Sequence, residues 1–135
     1  MATRSRIAIE KEDGSVYSIY CHWDGYPEHN GVVLQDNYQD REKVEKLIAL
    51  GDISILCKNI EPKGEHTFDN PEKDVVVAYH RDRGEALNKA SYHTSKTSYF
   101  KDDIEEYGYL FTKENEWVYV EGYGSRKPKS CAKID

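Results

Sequence analysis

A chain of 135 residues can bury one core and is too short for two, and with 38% hydrophobic and 33% charged residues that core is modest under a very polar surface. The net charge of −6, from 25 acidic and 19 basic residues, opposes the basic footprint that non-specific nucleic-acid binding requires. The acids are interspersed with lysines and arginines, which also excludes an acidic mimic of DNA.

Three cysteines, at positions 21, 57 and 131, are an odd number without C-x-x-C spacing. They suggest neither a disulfide framework nor a zinc knuckle, and reduced thiols in a cytosol are the expectation. The opening residues, Met1 to Arg6, run into a strand-like segment without the apolar stretch of a signal peptide, and no apolar run approaches membrane length. Tyrosines number 11 against 3 phenylalanines. A ring that buries while its hydroxyl stays wet suits half-buried strand faces, and equally a ligand groove.

In chain order, Arg6 to Glu10 alternates apolar and polar residues as a short strand. Asp13-Gly14 forms a tight turn, and Ser15 to His22 is the returning strand. Tyr17, Ile19, Cys21 and Trp23 share one face of that strand, and Val16, Ser18, Tyr20 and His22 the other. Gly31 to Tyr38 has helical spacing at Val33, Leu34 and Tyr38. Asp40 is placed to cap a helix whose buried stripe is Val44, Leu47 and Ile48, supported by a Glu42–Lys46 pair and stopped at Gly51. Asp52 to Leu56 reads as a further helical turn.

Lys58 to Asp74, with Pro62, Gly64, Asn70 and Pro71, is a surface loop. Val75 to His80 is a continuous apolar run ending in His, expected as a central strand buried on both faces, with 81–85 turning away. Ser91 to Ser98 has no usable period and reads as loop, and Asp102 to Glu106 as one helical turn. A second hairpin closes the fold: Tyr107, Tyr109 and Phe111 share a face of its first strand, Trp117 and Tyr119 a face of its second, and Lys113-Glu114-Asn115 connects them. The whole predicts a single α+β domain over 1–123, a mainly antiparallel sheet of about five strands with two or three helices. A flexible basic tail over 124–135, with Arg126, Lys127 and Lys129, is expected to follow.

The densest chemistry lies in Cys21-His22-Trp23-Asp24-Gly25-Tyr26-Pro27-Glu28-His29-Asn30-Gly31, where a strand ends and a helix begins. It matches no metal, phosphate or nucleophile signature. His22, Trp23, Asp24, Tyr26, His29 and Asn30 can stack and hydrogen-bond, a set suited to a planar polar ligand; the same residues also suit turns and core cover. His80, Arg81 and Arg83 form a second candidate segment, whose guanidiniums can clamp a phosphate or carboxylate or simply pair with neighbouring acids. His22-x-Asp24 and His80-x-Asp82 both follow strands and would suit a metal if they converged. Cys21 and His22 point to opposite faces, so a catalytic thiol is not expected.

The segments 4–9, 19–31, 48–54 and 78–85 (Arg4 to Ile9, Ile19 to Gly31, Ile48 to Ser54, Ala78 to Glu85) resemble those of a family of small uncharacterised proteins encoded by tailed bacteriophages and prophages. The resemblance reaches to about Val120. It carries over no catalytic residues, and implies an accessory protein working in the cytoplasm of the bacterial host.

The leading expectation is a non-catalytic binding protein without cofactor. It would sequester a small polar or nucleotide-like ligand or block a host protein, antagonising host defence. Alternatives are a metal-dependent hydrolase or phosphodiesterase using His22, Asp24, His80 and Asp82 with Glu28 or His29 as acid/base, and a minor structural or assembly protein. The tyrosine-rich hairpins are compatible with a homo-oligomer.

Overall fold

The computed structural model describes residues 2–102, 104–122 and 127–134. One sheet organises them. Its strands are β1 (Ser5–Glu10), β2 (Val16–Cys21), β3 (Ile53–Ile55), β4 (Val77–Ala78), β5 (Ser91–His93), β6 (Tyr107–Phe111), β7 (Trp117–Glu121) and β8 (Lys129–Ser130). The order is β4-β3-β2-β1-β6-β7-β8, and β5 pairs with β2 outside this path. The helices are α1 (Val32–Asn37), α2 (Arg41–Ala49), α3 (Tyr79–Arg83) and α4 (Lys96–Asp102).

The α+β class stands, but the sheet has eight strands among the described residues where the sequence predicts about five. Both hairpins form as expected. The pairings of β1 with β6 and of β2 with β3 are parallel; the others are antiparallel.

Alternation along the strands sorts the core onto two faces. Ile7, Ile9, Ile19, Tyr109, Phe111 and Trp117 pack with Leu34, Tyr38, Val44 and Leu47 of the α1–α2 layer. On the reverse, Ala8, Val16, Leu110 and Val120 meet Tyr99 and Phe100 of α4. At the hairpin turns, Arg41 donates to Glu10 O (3.0 Å) and Thr112 O (2.7 Å), tying α2 to both. Asp40 caps α2 through Glu42 N–H as expected, and Gly51 follows its end at φ 78°.

Several local expectations are corrected. Residues 53–55 form β3 and not a helical turn: Ile53 pairs with Cys21, and burial of Ile53 and Leu56 decides their conformation. The 75–80 run is no central strand. Val77–Ala78 is the sheet's edge, and helix α3 begins at Tyr79. Its valines are buried because the 58–74 loop covers them, with Val76 N–H donating to Asn59 O at 2.9 Å. Ser91–His93 is a strand, and α4 spans Lys96–Asp102, while the described residues 104–106 are not helical. Of the expected flexible tail, 124–126 and 135 lie outside the described residues. Beyond them Lys129–Ser130 pairs with β7 and Cys131 is buried.

The outer edge of β2 is shared. β3 takes its last residue, Cys21, and β5 takes Val16 to Ser18. At the junction, Tyr20 N–H donates to Asp52 Oδ1 (3.0 Å), while Asp52 Oδ2 accepts from Asn88 Nδ2 (3.2 Å). A carboxylate thus fills the place of a missing strand residue. In Asp52→Ala the Tyr20 amide loses its acceptor; a loss of about 1–3 kcal/mol is expected in urea unfolding, with faster hydrogen exchange at Tyr20 than at other β2 amides. Unchanged exchange at Tyr20 would count against this role.

Candidate functional site

β1 begins, β2 and β3 end, and β6 begins at one rim of the sheet, because β1 runs with β6 and β2 with β3. The 22–31 loop covers this rim. Its backbone continues the pairing briefly: His22 N–H donates to Ile53 O (3.2 Å) and Trp23 N–H to Ser54 O (2.9 Å). Asp24 then turns the chain at φ 56°, a left-handed conformation that Asp tolerates. Gly25 N–H donates to Thr3 O at 2.8 Å, and Tyr109 Oη donates to Gly25 O at 2.6 Å. A Cβ on Gly25 would stand 2.8 Å from both Ser5 Cβ and Thr3 O, so only glycine fits this approach. Pro27 opens a π-helical turn, Pro27–Gly31, that leads into α1.

Asn30, expected as a ligand contact, is instead fully buried. Its Nδ2 donates to Ser5 Oγ (3.1 Å) and lies 3.5 Å from Cys21 Sγ, while Oδ1 lies 2.9 Å from His29 Nδ1. Burial pushes the Cys21 thiol up to about 11, opposed by hydrogen bonds from Asn30 and others, so it stays protonated at neutral pH. Burial likewise raises the Tyr109 phenol, keeping its proton for Gly25 O.

Above this anchor Trp23, Tyr26 and Glu28 face outward, while His22, Asp24 and His29 are half-buried. Trp23 is 43% and Tyr26 38% exposed. Trp23 therefore leaves the core face on which alternation places it. His22 Nδ1 lies 2.7 Å from Tyr20 Oη, and its ring meets Trp23 edge-on at 4.7 Å. His29 lies beside Tyr26, with ring centroids 6.3 Å apart.

The second segment is organised differently. β2 and β4 flank β3, one parallel to it and one antiparallel, so His22 and His80 leave their strands in opposite directions. The convergence that a shared metal site would need does not form: His80 Nδ1 lies 2.7 Å from Glu85 O within its own turn. Arg81 donates to Ile60 O (2.7 Å), Val76 O (2.6 Å) and both Asp82 oxygens. Arg83 pairs with Glu85 and lies over the rings of Phe68 (4.4 Å) and Tyr79 (5.2 Å). Neither guanidinium is an open anion clamp. No group of three or more His, Cys, Asp or Glu side chains is arranged to hold a metal among the described residues.

Asp82, a candidate metal ligand by sequence, instead forms a buried pair with His66. The His66 and Asp82 side chains are 1% and 4% exposed, and His66 Nε2 lies 3.0 Å from Asp82 Oδ2. His66 Nδ1 accepts from Glu72 N–H (2.9 Å), which fixes the proton on Nε2 in the neutral ring. Asp82 also accepts from Ala78 N–H at 2.8 Å, reaching back over the first turn of α3 as the acid of a capping box does. This network pins the 58–74 loop.

A cavity of about 640 Å³ lies at the opposite end of the first hairpin, among Ile9, Tyr17, Ile48 and Leu87. A smaller cleft of about 350 Å³ borders the loop at Pro27 and Glu28, walled by Tyr107, Tyr119 and Lys133. No family model, curated protein or solved structure matches the chain. No helix among the described residues is long and apolar enough to cross a membrane.

Asn30→Ala removes the donor to Ser5 and leaves buried polar atoms unpaired; a loss of about 2–3 kcal/mol in urea unfolding is expected. A loss under about 0.5 kcal/mol would show that the loop is anchored elsewhere. Burial works to raise the Asp82 carboxyl, but hydrogen bonds from Arg81, Ala78 N–H and His66 outweigh it and hold the group below its ordinary 3.8. The folded state therefore favours the ionised form. Its stabilising contribution is complete above the ordinary value and disappears as pH falls through the lowered one. Chemical unfolding from pH 7 downward should show stability falling below about pH 4, more steeply in the native chain than in Asp82→Asn. Parallel curves would contradict this assignment.

Proposed function

We propose that the chain is a non-catalytic binding protein that blocks a host protein through the 22–29 loop, as an accessory product of a tailed phage or prophage in the host cytoplasm. The carrying observation is that Trp23 and Tyr26 are exposed on a backbone locked from beneath by Asn30, Gly25 and Tyr109. Large aromatic side chains held rigid before contact lose little conformational freedom on binding, and they are frequent anchors of protein interfaces. His22 Nδ1 and His29 Nδ1 lie against Tyr20 Oη and Asn30 Oδ1, so both rings brace the loop beside its exposed aromatics.

A protein partner is favoured over a nucleotide-like ligand. Arg81, which would have met a phosphate, is engaged with Ile60 O, Val76 O and Asp82. The phage setting rests on the resemblance of the 4–9, 19–31, 48–54 and 78–85 segments, and the anti-defence role follows from that setting by analogy.

The test is retention from a bacterial lysate. Native chain should hold a host protein in near-equimolar amount, and the double variant Trp23→Ala/Tyr26→Ala should lose it by at least about tenfold while melting at the same temperature. Equal retention by both would remove the loop from the interaction.

A further inference from the structure

The charges around the aromatic loop specify the chemistry of what docks there; this rests on the loop being the docking surface. Asp24 and Glu28 have no hydrogen-bond or ion-pair partner among the described residues, and Glu28 is exposed. Glu105 acts electrostatically on the Tyr20 phenol beside His22, and the Glu106 carboxylate accepts from Arg4 N–H at 2.7 Å. Glu121 lines the same cleft as Glu28 and pairs with Lys129 at 3.5 Å, so among the described residues five carboxylates stand against three cations there. Arg4 also acts on Tyr20, and Lys133 lines the cleft next to Glu28. The rim is therefore net acidic.

We propose that the loop receives a cationic segment of a partner protein, rich in arginine or lysine. Its guanidinium or ammonium groups lie against the ring faces of Trp23 and Tyr26 and pair with Asp24 and Glu28. Exposed indole and phenol faces attract cations, and adjacent unpaired carboxylates add the ion pair. The same field repels phosphate, so nucleic acids and nucleotides are poor ligands for this face. The apolar cavity near Leu87 offers no comparable choice, since Lys11, Lys89, Glu12, Asp13 and Glu45 mix both signs around it.

The experiment measures fluorescence anisotropy of three labelled probes: an Arg-Gly repeat peptide, a Glu-Gly repeat of equal length, and a short single-stranded oligonucleotide. The Arg-Gly peptide should bind saturably and more weakly as salt rises, and the other two should not bind. Asp24→Asn/Glu28→Gln should weaken it about tenfold, and Trp23→Ala should weaken it to a similar extent. Asn is compatible with the left-handed backbone at Asp24, so the charge variant keeps the turn.

Glu12→Gln removes an exposed carboxylate at the far end of the hairpin and should change nothing. Equal weakening by Glu12→Gln would reduce the effect to net charge and overturn the proposal. So would binding that ignores Trp23, preferential binding of the acidic peptide or oligonucleotide, or no binding of the Arg-Gly peptide. If the peptide fails while host-protein retention still depends on Trp23 and Tyr26, docking stands and the cationic partner falls. If both fail, the docking surface falls as well.

Discussion

The aromatic rim depends on one carboxamide with no access to water. Asn30 reaches Ser5, where β1 starts, and Cys21, where β2 ends, while Tyr109 of β6 reaches up to Gly25. A buried amide left unpaired costs more than a made hydrogen bond contributes, so these contacts form together or the loop does not close. Gly25 is the complementary requirement, since any side chain there would occupy the space of Ser5 and Thr3 O. Loop geometry is thus set by the first strands of the sheet and not by the loop's own preferences.

That origin explains the division of labour between the two histidine-bearing segments. Residues 22–29 are held through their backbone and through Asn30, which leaves Trp23 and Tyr26 outside. Residues 79–85 are held through their side chains: Arg81 bonds loop carbonyls, Asp82 gathers three donors, and Arg83 stacks on Phe68 and Tyr79. Both contain His-x-Asp, yet one presents its side chains and the other uses them as internal ties. Residue type alone does not distinguish these uses; where the backbone finds its partners does.

The hairpins and the capped helix α2 were legible because each carries a local pattern: alternation around Asp13-Gly14, alternation around Lys113 to Asn115, and a buried stripe behind Asp40. β3, β4 and β5 are two or three residues long, too short for a period to appear, and they exist because β2 and the covering loop supply partners. The parallel pairing of β1 with β6 joins residues about a hundred positions apart, which no local window can register. Val75, Val76 and Val77 are buried as their apolar run predicts, but burial by a loop at an edge and burial between strands leave the same apolar run. Within the motif, the polarity of Asn30 was visible, while its direction required knowing that Ser5 and Cys21 lie beneath it.

The shared edge of β2 makes the sheet a fork. One arm, β3 with β4 and the loop wrapped on it, leaves from the end of β2; the other, β5 leading into α4, leaves from its beginning. The two arms pair with different residues of β2 and are stitched at Asp52, while β2, β1, β6 and β7 form a four-strand trunk with its own ladder. Partial opening then has two separate routes. Loosening the β5 branch leaves the backbone of the aromatic rim untouched, whereas loosening β3 takes Ile53 O and Ser54 O away from His22 and Trp23, so only one of the two routes would unsettle the docking face.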